Sequence, residues 1–316
     1  IQRMATGNYS TVTDFILAGL TDEPKLKLLL FLLFLCIYVA TVVGNLSMIT
    51  LIGFSSHLHT PMCCLLSCLP FIDLCPSTVI TPKMLVNFMS EKNISYNECM
   101  TQLYFFIIFI VSECHLLTVM AYDRYVAICS PLLYNAIMSY KICAWLSGGV
   151  SIIGLVAATA QTGCILRSFF CKDNIINHYF CDLNPLLELS CYSTYACEVI
   201  ILFFGVINII FPILYILSSY FFIIASILRI QSTEGRAKAF STCSSHLAAV
   251  AVFYGTIIFM YLKPPSSSSM TQEKVASVFY TTVIPMLNPL IYSLRNKDVK
   301  DVLKKIMRGT IFSRSM

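Results

Sequence analysis

The stretch MAYDRYVAIC, Met120–Cys129, decides the fold because it places charged side chains at the end of a long apolar run. From residue 99 up to Asp123, Glu113 is the sole acidic residue and no lysine or arginine occurs. A charged side chain in hydrocarbon is usually tolerated only where it faces protein or water, pairs with an opposite charge, or has a function. Arg124 therefore predicts a functional site at the end of a membrane-spanning helix.

The composition agrees with this prediction. The 316 residues are 57% hydrophobic and 12% charged, and the mean hydropathy is +0.78. Such a chain is too apolar to cover a water-facing surface, which indicates an integral membrane protein. Residues 1–25 lack the basic start, apolar centre and small-residue cleavage site of a secretory signal, so we expect the first hydrophobic helix to target the chain to the membrane.

Apolar runs of about 20 residues, the length needed to cross a bilayer, predict seven spans within residues 26–294. The predicted fold is an all-α, seven-helix transmembrane bundle that follows the outer N-terminus, 1–25. The loop 163–195 is too long for a simple turn and should have a structure of its own. The predicted spans are 26–52, 60–86, 99–129, 141–162, 196–228, 238–262 and 271–294.

Basic residues are concentrated on one predicted side of the membrane, which orients the chain. The positive-inside rule gives an extracellular N-terminus and a cytoplasmic C-terminus in the plasma membrane. Anionic lipid of the inner leaflet explains the net charge of +5 better than nucleic acid does, because the chain has no separate basic domain. In the tail, 295–316, apolar residues recur at helical spacing among lysines and predict an amphipathic helix on the membrane surface. The basic residues assigned to the cytoplasmic side include Arg124, Lys141, Arg229, Arg236, Lys238 and those of the tail.

Modification sites are expected on the outer side. The sequon Asn8-Tyr9-Ser10 predicts glycosylation of Asn8. Four of the 15 cysteines are assigned to the outer side, an oxidising environment in which disulfides persist. Spacing alone leaves three pairings of these four open. They are Cys99, Cys171, Cys181 and Cys191.

Six segments, in order and at characteristic separations, together resemble one family. The chain is identified by them as similar to vertebrate olfactory receptors of the tetrapod type (class II), a branch of the rhodopsin-like (class A) G-protein-coupled receptors. The resemblance implies two disulfides, Cys99–Cys181 and Cys171–Cys191, which hold a lid over the extracellular mouth. The segments are Gly44-Asn45, LHTPM at 58–62, Asp73 with TPKML at 81–85, MAYDRYVAIC at 120–129, KAFSTCSSH at 238–246 and PMLNPLIYSLRN at 285–296.

The resemblance also implies a switch that couples to a G protein. Asp123 would hold Arg124 at rest, and the arginine would be released when the sixth span swings outward. Tyr220 and Tyr292 would meet near Arg124 in the active state. A structural ion pair without a switch role is the alternative. The full predicted set is Asp123, Arg124, Tyr125, Tyr220, Arg236, Lys238, Asn288, Pro289 and Tyr292, with Arg236 and Lys238 opposing either Asp123 or the G protein.

Asp73 and Glu113 are two acids within predicted spans. Burying them ionised costs several kcal/mol unless they are protonated, paired or bound to a cation. By resemblance, they line a mid-membrane sodium and water pocket with Asn45 and Asn288. A hydrogen-bonded network without sodium is the alternative.

The resemblance implies an odorant pocket between the third, fifth, sixth and seventh spans. None of its expected residues is acidic or basic, so the pocket predicts a small neutral volatile held by apolar burial and one hydrogen bond from Asn208, Tyr254, Tyr261 or Thr281. Tyr254 takes the place of a tryptophan in other rhodopsin-like receptors and is expected to be pocket floor and trigger. The residues are Phe106, Ile107, Ile110, Val111, Phe204, Asn208, Tyr254, Ile257, Ile258, Tyr261, Val278 and Thr281.

Pro70 and Pro76, on either side of Asp73, depart from the family pattern and are expected to distort the second span or weaken folding.

The predicted function is that of an odorant receptor that activates a heterotrimeric G protein of the stimulatory olfactory type and raises cyclic AMP. The alternative is a transporter or channel, whose inverted repeats and paired broken helices are not evident. An enzyme is disfavoured because no nucleophile or metal-ligand motif accompanies the buried acids.

Overall fold

The computed structural model describes residues 13–55, 60–170, 174–190, 195–261, 270–295 and 299–304. Long helices dominate it. The helices are α1 (Pro24–Phe54), α2 (Pro61–Met89), α3 (Tyr96–Cys129), α4 (Tyr134–Ile137), α5 (Tyr140–Leu166), α6 (Leu183–Glu188), α7 (Tyr195–Gly205), α8 (Phe211–Leu228), α9 (Thr233–Tyr261), α10 (Met270–Val278) and α11 (Ile284–Arg295), and the strands are β1 (Asp14–Leu17), β2 (Asn93–Ser95) and β3 (Ile175–Ile176).

The helices coincide with the seven predicted spans. Among the described residues, six helical stretches are long and apolar enough to cross a membrane, and α9 contributes a shorter apolar stretch, His246–Met260. The fifth span consists of α7 and α8 joined by a π-helical turn, Val206–Ile210. The seventh consists of α10 and α11 joined by another, Phe279–Val283. The predicted all-α membrane bundle is confirmed.

Local sequence sets where the helices begin. Ser95 caps α3 through a reciprocal capping box with Glu98, and Thr60 accepts a hydrogen bond from the backbone N–H of Cys63 at the start of α2. These caps satisfy backbone N–H groups that would otherwise lack partners. Despite Pro70 and Pro76, α2 is a continuous helix from Pro61 to Met89, and a weakening of folding by the two prolines stays a prediction.

A small sheet caps one end of the bundle, which we call the loop end; the opposite end, near residue 129, is the tail end. Strand β1 lies between antiparallel β2 and parallel β3. Phe15 and Leu17 of β1 are fully buried beneath it. Gly19 follows with φ +76°, a left-handed conformation that favours glycine. The sequence did not indicate this ordered N-terminal strand.

Two disulfides brace the loop end. Cys99–Cys181 ties α3 to the loop, which confirms that predicted pair. Cys164–Cys197 joins the end of α5 to the start of α7 and was not predicted. Cys171 and Cys191 lie outside the described residues, so their predicted pairing stays a prediction.

Candidate functional site

A cavity of about 250 Å³ lies at the loop end between α3, α5, the fifth span and α9, beneath α6. Seven of the predicted pocket residues form part of its wall: Phe106, Ile107, Ile110, Val111, Phe204, Asn208 and Ile257. Sequence reasoning missed the remainder of the wall, which comes from Cys114 of α3 and from α5, α6 and the rest of the fifth span. These residues are Cys114, Gln161, Leu183, Asn184, Leu187, Glu198, Ile201, Leu202, Gly205, Val206 and Ile209.

Larger hollows are grooves on the outside of the bundle. One of about 660 Å³ runs between α9 and the seventh span, and one of about 910 Å³ runs between α1 and α11. Val252 and Phe54, which line them, are 51% and 90% exposed. Such surfaces face lipid in a membrane bundle, so the smaller internal cavity is the candidate ligand site.

The remaining predicted pocket residues do not line this cavity. Ile258 is 38% exposed because it is adjacent to Ile257 and successive residues of a helix point about 100° apart. Tyr254 is buried and donates its hydroxyl hydrogen to the Cys114 carbonyl at 2.8 Å. Val278 and Thr281 belong to the seventh span, which does not reach the wall, and the Tyr261 side chain lies outside the described part of the chain.

Aromatic loop residues link the seventh span to the cavity wall. Phe180 packs edge-on against Phe106, with ring centroids 5.2 Å apart. The Tyr179 hydroxyl lies 2.9 Å from the Thr281 hydroxyl, which itself donates to the Ser277 carbonyl. His178 stacks on Tyr179 at 4.7 Å. The segment 178–180, which we call the loop plug, therefore contacts both Phe106 of the cavity wall and the seventh span, whose Tyr280 also packs against Phe106 with ring centroids 5.8 Å apart.

His178 is held neutral inside the loop plug. It is 3% exposed, and its Nε2 lies 3.1 Å from the Ser277 hydroxyl oxygen. Burial, with the nearby Lys274 ammonium, lowers the pKa of His178 to about 3. The Ser277 hydroxyl donates to the Glu273 carbonyl, so the neutral imidazole donates from Nε2. Its Nδ1 has no hydrogen-bond partner among the described residues.

The cavity is not free of charge, which corrects the sequence prediction. Glu198, in the first turn of α7, contributes to the wall and is exposed. The predicted contacts of the fifth span, Phe204 and Asn208, lie deeper than Glu198. Gln161 and Asn184 add polar groups to the wall. The wall therefore combines apolar side chains with a polar, loop-end portion.

A buried polar network connects α1, α2 and α11. Asn288 Nδ2 lies 3.0 and 3.1 Å from the two Asp73 carboxyl oxygens. Pro289 lacks the N–H that would bond the Pro285 carbonyl, and that carbonyl accepts from Asn45 Nδ2 at 3.0 Å. Asp73 is fully buried and Glu113 is 3% exposed. The prolines of the seventh span thus free backbone acceptors that side chains of other helices satisfy.

The network has the donor chemistry that a hard monovalent cation requires. Two buried carboxyl groups, Asp73 and Glu113, are accompanied by the buried Asn45 Oδ1, which has no hydrogen-bond partner in the part of the chain that the structure describes. Carboxylate and amide oxygens are the ligands such cations prefer. In the described ranges no cluster of three or more histidine, cysteine or acidic side chains could hold a metal ion, so a multidentate transition-metal site is not present there.

The tail end differs from the predicted resting latch. Asp123 is buried and accepts a 2.8 Å hydrogen bond from the Tyr134 hydroxyl of α4. Within the described residues, the ion pairs at or below 4.0 Å do not include Asp123 with Arg124. Burial and the nearby Asp123 raise the pKa of Tyr134, which keeps the phenol a donor at neutral pH. In this structure Asp123 is therefore hydrogen-bonded to Tyr134 and not to Arg124, and the Asp123–Arg124 latch of the resting state stays a prediction.

Other predicted switch residues have contacts of their own. Tyr220 is joined to His246 of α9 at 2.6 Å, and Tyr125 packs against Phe222. Arg236, in the first turn of α9, is exposed and donates to the carbonyl of Ile230 in the preceding loop, so it does not oppose Asp123. The Lys238 and Tyr292 side chains are not described. Pro289 lies against α1 at Gly44, where a Cβ would stand 3.5 Å from the proline ring.

These features define a multi-pass membrane protein of the rhodopsin-like, seven-helix class. The crystal structure of squid rhodopsin matches the fold with a TM-score of 0.66 at 16% sequence identity, covering 92% of this chain and 88% of that one. Residues 34–309 match the family model described as olfactory receptor.

Two relatives match along almost their whole length. Human olfactory receptor 8G3 is 68% identical over 308 residues, which is 97% of this chain and 99% of that protein. Mouse olfactory receptor 8G50 is 65% identical over 310 residues, covering 98% and 99%. The chain belongs to the olfactory receptor family of G-protein-coupled receptors, as the sequence motifs predicted; it is a receptor and not an enzyme.

Proposed function

We propose that this receptor binds a small neutral volatile in the cavity beneath α6 and then activates a heterotrimeric G protein of the stimulatory olfactory type, which raises cyclic AMP. The observation that carries the proposal is the internal, largely apolar cavity between α3, α9 and the fifth span. Family membership supports odorant binding and G-protein coupling in general.

The size and chemistry of the cavity favour a small neutral ligand. Its volume of about 250 Å³ lies below the roughly 300–1,000 Å³ typical of sites for drug-sized ligands. Phe106, Ile107, Val111 and Ile257 are each less than 9% exposed, so a ligand among them is largely shielded from water. Burying apolar ligand surface there contributes about 25 cal/mol per Å². An amine would be recognised only at Glu198, at the loop end.

Helix α3 provides a direct path from the cavity to the tail end. Val111 in the wall and Arg124 are 13 residues apart, or about 20 Å at a rise of 1.5 Å per residue. Tyr254 of α9 is bonded to the Cys114 carbonyl of α3, so α3 and α9 are joined directly below the ligand. In this proposal ligand binding shifts α9 relative to α3, and Arg124 then becomes available to the G protein.

Several further assignments belong to the same proposal. The loop end faces the extracellular side, Asn8 is glycosylated, and Cys171 pairs with Cys191; the adjacent Phe170 and Ser190 form an antiparallel bridge, which supports that pairing. Asp73, Glu113 and the unpartnered Asn45 Oδ1 would hold sodium. Residues 299–304 are helical, with Val299 buried and Lys300 exposed, which supports an amphipathic tail helix at the cytoplasmic surface.

The function is tested in cells that express the receptor with an N-terminal epitope tag. Neutral alcohols, ketones, esters and aromatics are compared with acids and amines for the cyclic AMP response, and surface tag is measured in the same cells. We expect the best agonists among the neutral compounds. Arg124→Ala should abolish the response at unchanged surface level, whereas the outward-facing Ile258→Ala should not change it. A best response to acids, or normal signalling by Arg124→Ala, would contradict the proposal.

A further inference from the structure

Asn208 is placed in the cavity by an irregularity of the fifth span. It lies in the π-helical turn Val206–Ile210, four residues before Pro212. Because proline has no N–H, the Asn208 carbonyl cannot receive the usual helical hydrogen bond, and a wider turn forms there. The Asn208 side chain is 3% exposed and lies in the cavity wall.

Hydrogen bonds determine the orientation of the Asn208 amide. One end lies 2.8 Å from the Phe204 carbonyl oxygen. Since a carbonyl oxygen only accepts hydrogen bonds, the NH₂ group must be at this end. The other end, Oδ1, lies 2.9 Å from Nε2 of His115. An amide oxygen only accepts, so His115 must carry its proton on Nε2 and donate it to Asn208.

This arrangement leaves one donor for a ligand. The Asn208 NH₂ group has two hydrogens, and Phe204 takes one; within the described residues the other has no protein acceptor. His115 is not part of the wall, so the amide oxygen is held by a group outside the cavity. Tyr254 and Thr281, the other described candidates for a ligand hydrogen bond, already donate to the Cys114 and Ser277 carbonyls.

The remaining polar groups of the wall lie away from Asn208, toward the loop end. Glu198 precedes Asn208 by ten residues in the same span, which is about 15 Å, and Gln161 is five residues from the end of α5. Asn184 belongs to α6, above the cavity. A ligand thus meets apolar side chains such as Ile107 and Val111 around a single deep N–H donor.

We propose that His115 is a positioning residue that fixes Asn208 as the hydrogen-bond donor of the cavity, and that the receptor therefore selects ligands with an acceptor oxygen, such as a ketone, aldehyde, ester or ether, on an apolar body. The inference rests on the proposed function and narrows its ligand class.

The test compares ketones and esters with isosteres in which C=CH₂ replaces C=O, with cyclic AMP and surface tag measured together. The quantity of interest is the ratio of half-maximal concentrations between each isostere and its carbonyl parent. A neutral hydrogen bond changes affinity by roughly five- to tenfold, so the wild-type ratio should be of that order. Asn208→Leu should bring it close to one, and the outward-facing Ile258→Ala should leave it unchanged.

Variants of His115 separate positioning from packing. His115→Leu should reduce the ratio to below about threefold, because the freed amide can rotate, while His115→Gln, which can still donate to Oδ1, should preserve it. If His115→Leu does not reach the surface, His115→Asn, which is too short to reach Oδ1, replaces it. A wild-type ratio near one, or the same ratio in all His115 variants, would overturn the inference even though odorants activate. Silence toward the whole panel at normal surface level would instead overturn the proposed function, and this inference with it.

Discussion

Protonation of His178 should destabilise the loop plug in mild acid. The histidine is buried beside Lys274 with its pKa lowered from 6.5 to about 3. Because the folded pKa lies below the unfolded one, the stability is fully present above pH 6.5 and is lost as the pH falls from 6.5 toward 3. At pH 5 the histidine has bound a proton in the unfolded state but not in the folded state. The free energy of unfolding is therefore about 2 kcal/mol lower at pH 5 than at pH 7.5.

Thermal unfolding of the purified receptor in detergent, followed at pH 7.5 and pH 5.0, measures this loss. For a protein of this size about 2 kcal/mol lowers the apparent midpoint by a few degrees. His178→Gln cannot be protonated and retains a donor for Ser277, so its midpoint should fall less between the two pH values. Tyr179 and Phe180, which pack on the imidazole, do not titrate in this range.

The comparison isolates the histidine because other carboxyl and histidine groups contribute equally to both proteins. If wild type and His178→Gln lose the same number of degrees between pH 7.5 and pH 5.0, the neutral buried imidazole is not the cause and the reasoning fails. A wild-type midpoint that rises in acid would refute the sign of the effect.

Three further predictions concern other parts of the structure. Gly154→Ala should lower the unfolding midpoint and the surface level, because the new Cβ would lie 2.5 Å from the Ile108 carbonyl oxygen and overpacking costs about 1–3 kcal/mol. Gly148→Ala in the same helix is the control, since its Cβ meets nothing within 4 Å, and it should be neutral or slightly stabilising. Equal losses in the two variants would refute the packing argument. Tyr134→Phe removes the Asp123 hydrogen bond and should raise ligand-independent cyclic AMP, which unchanged basal signalling at equal surface level would contradict. Glu198→Gln should leave responses to neutral ketones within about twofold and weaken any amine response, since an exposed ion pair contributes only about 0–1 kcal/mol; a large loss of the ketone response would show that the carboxylate contacts neutral ligands.

Hydropathy predicted the helices because each membrane span needs a long apolar stretch, whichever helices it packs against. It could not predict which face of a helix meets the cavity. Ile257 and Ile258 are both isoleucines and have the same hydropathy, yet Ile257 lines the cavity wall and Ile258 is exposed. The Cys164–Cys197 bond was missed because Cys197 was placed within the fifth predicted span and Cys164 was not counted among the outer cysteines. Their positions at the loop ends of neighbouring spans are the signal that could have suggested it.

Contacts between segments that are distant in sequence account for the other differences between the predicted and the observed site. The loop plug contacts the cavity wall through Phe180 and the seventh span through Tyr179, and both residues are far from Thr281 in sequence. The acid Asp123 is bonded by Tyr134 from α4 rather than by its neighbour Arg124. In both cases the partner comes from a loop or short helix, whose path cannot be obtained from apolar periodicity.

Cys114 is the residue at which the cavity wall meets the contact between α3 and α9. It lines the cavity, and its carbonyl accepts the hydrogen bond from Tyr254, which does not itself line the wall. It also adjoins Glu113 of the buried acid pair and precedes His115, which orients Asn208. In the proposed mechanism, a ligand bonded to Asn208 would contact α3 at Cys114 and would reach Tyr254 and α9 through the Cys114 carbonyl rather than by direct contact.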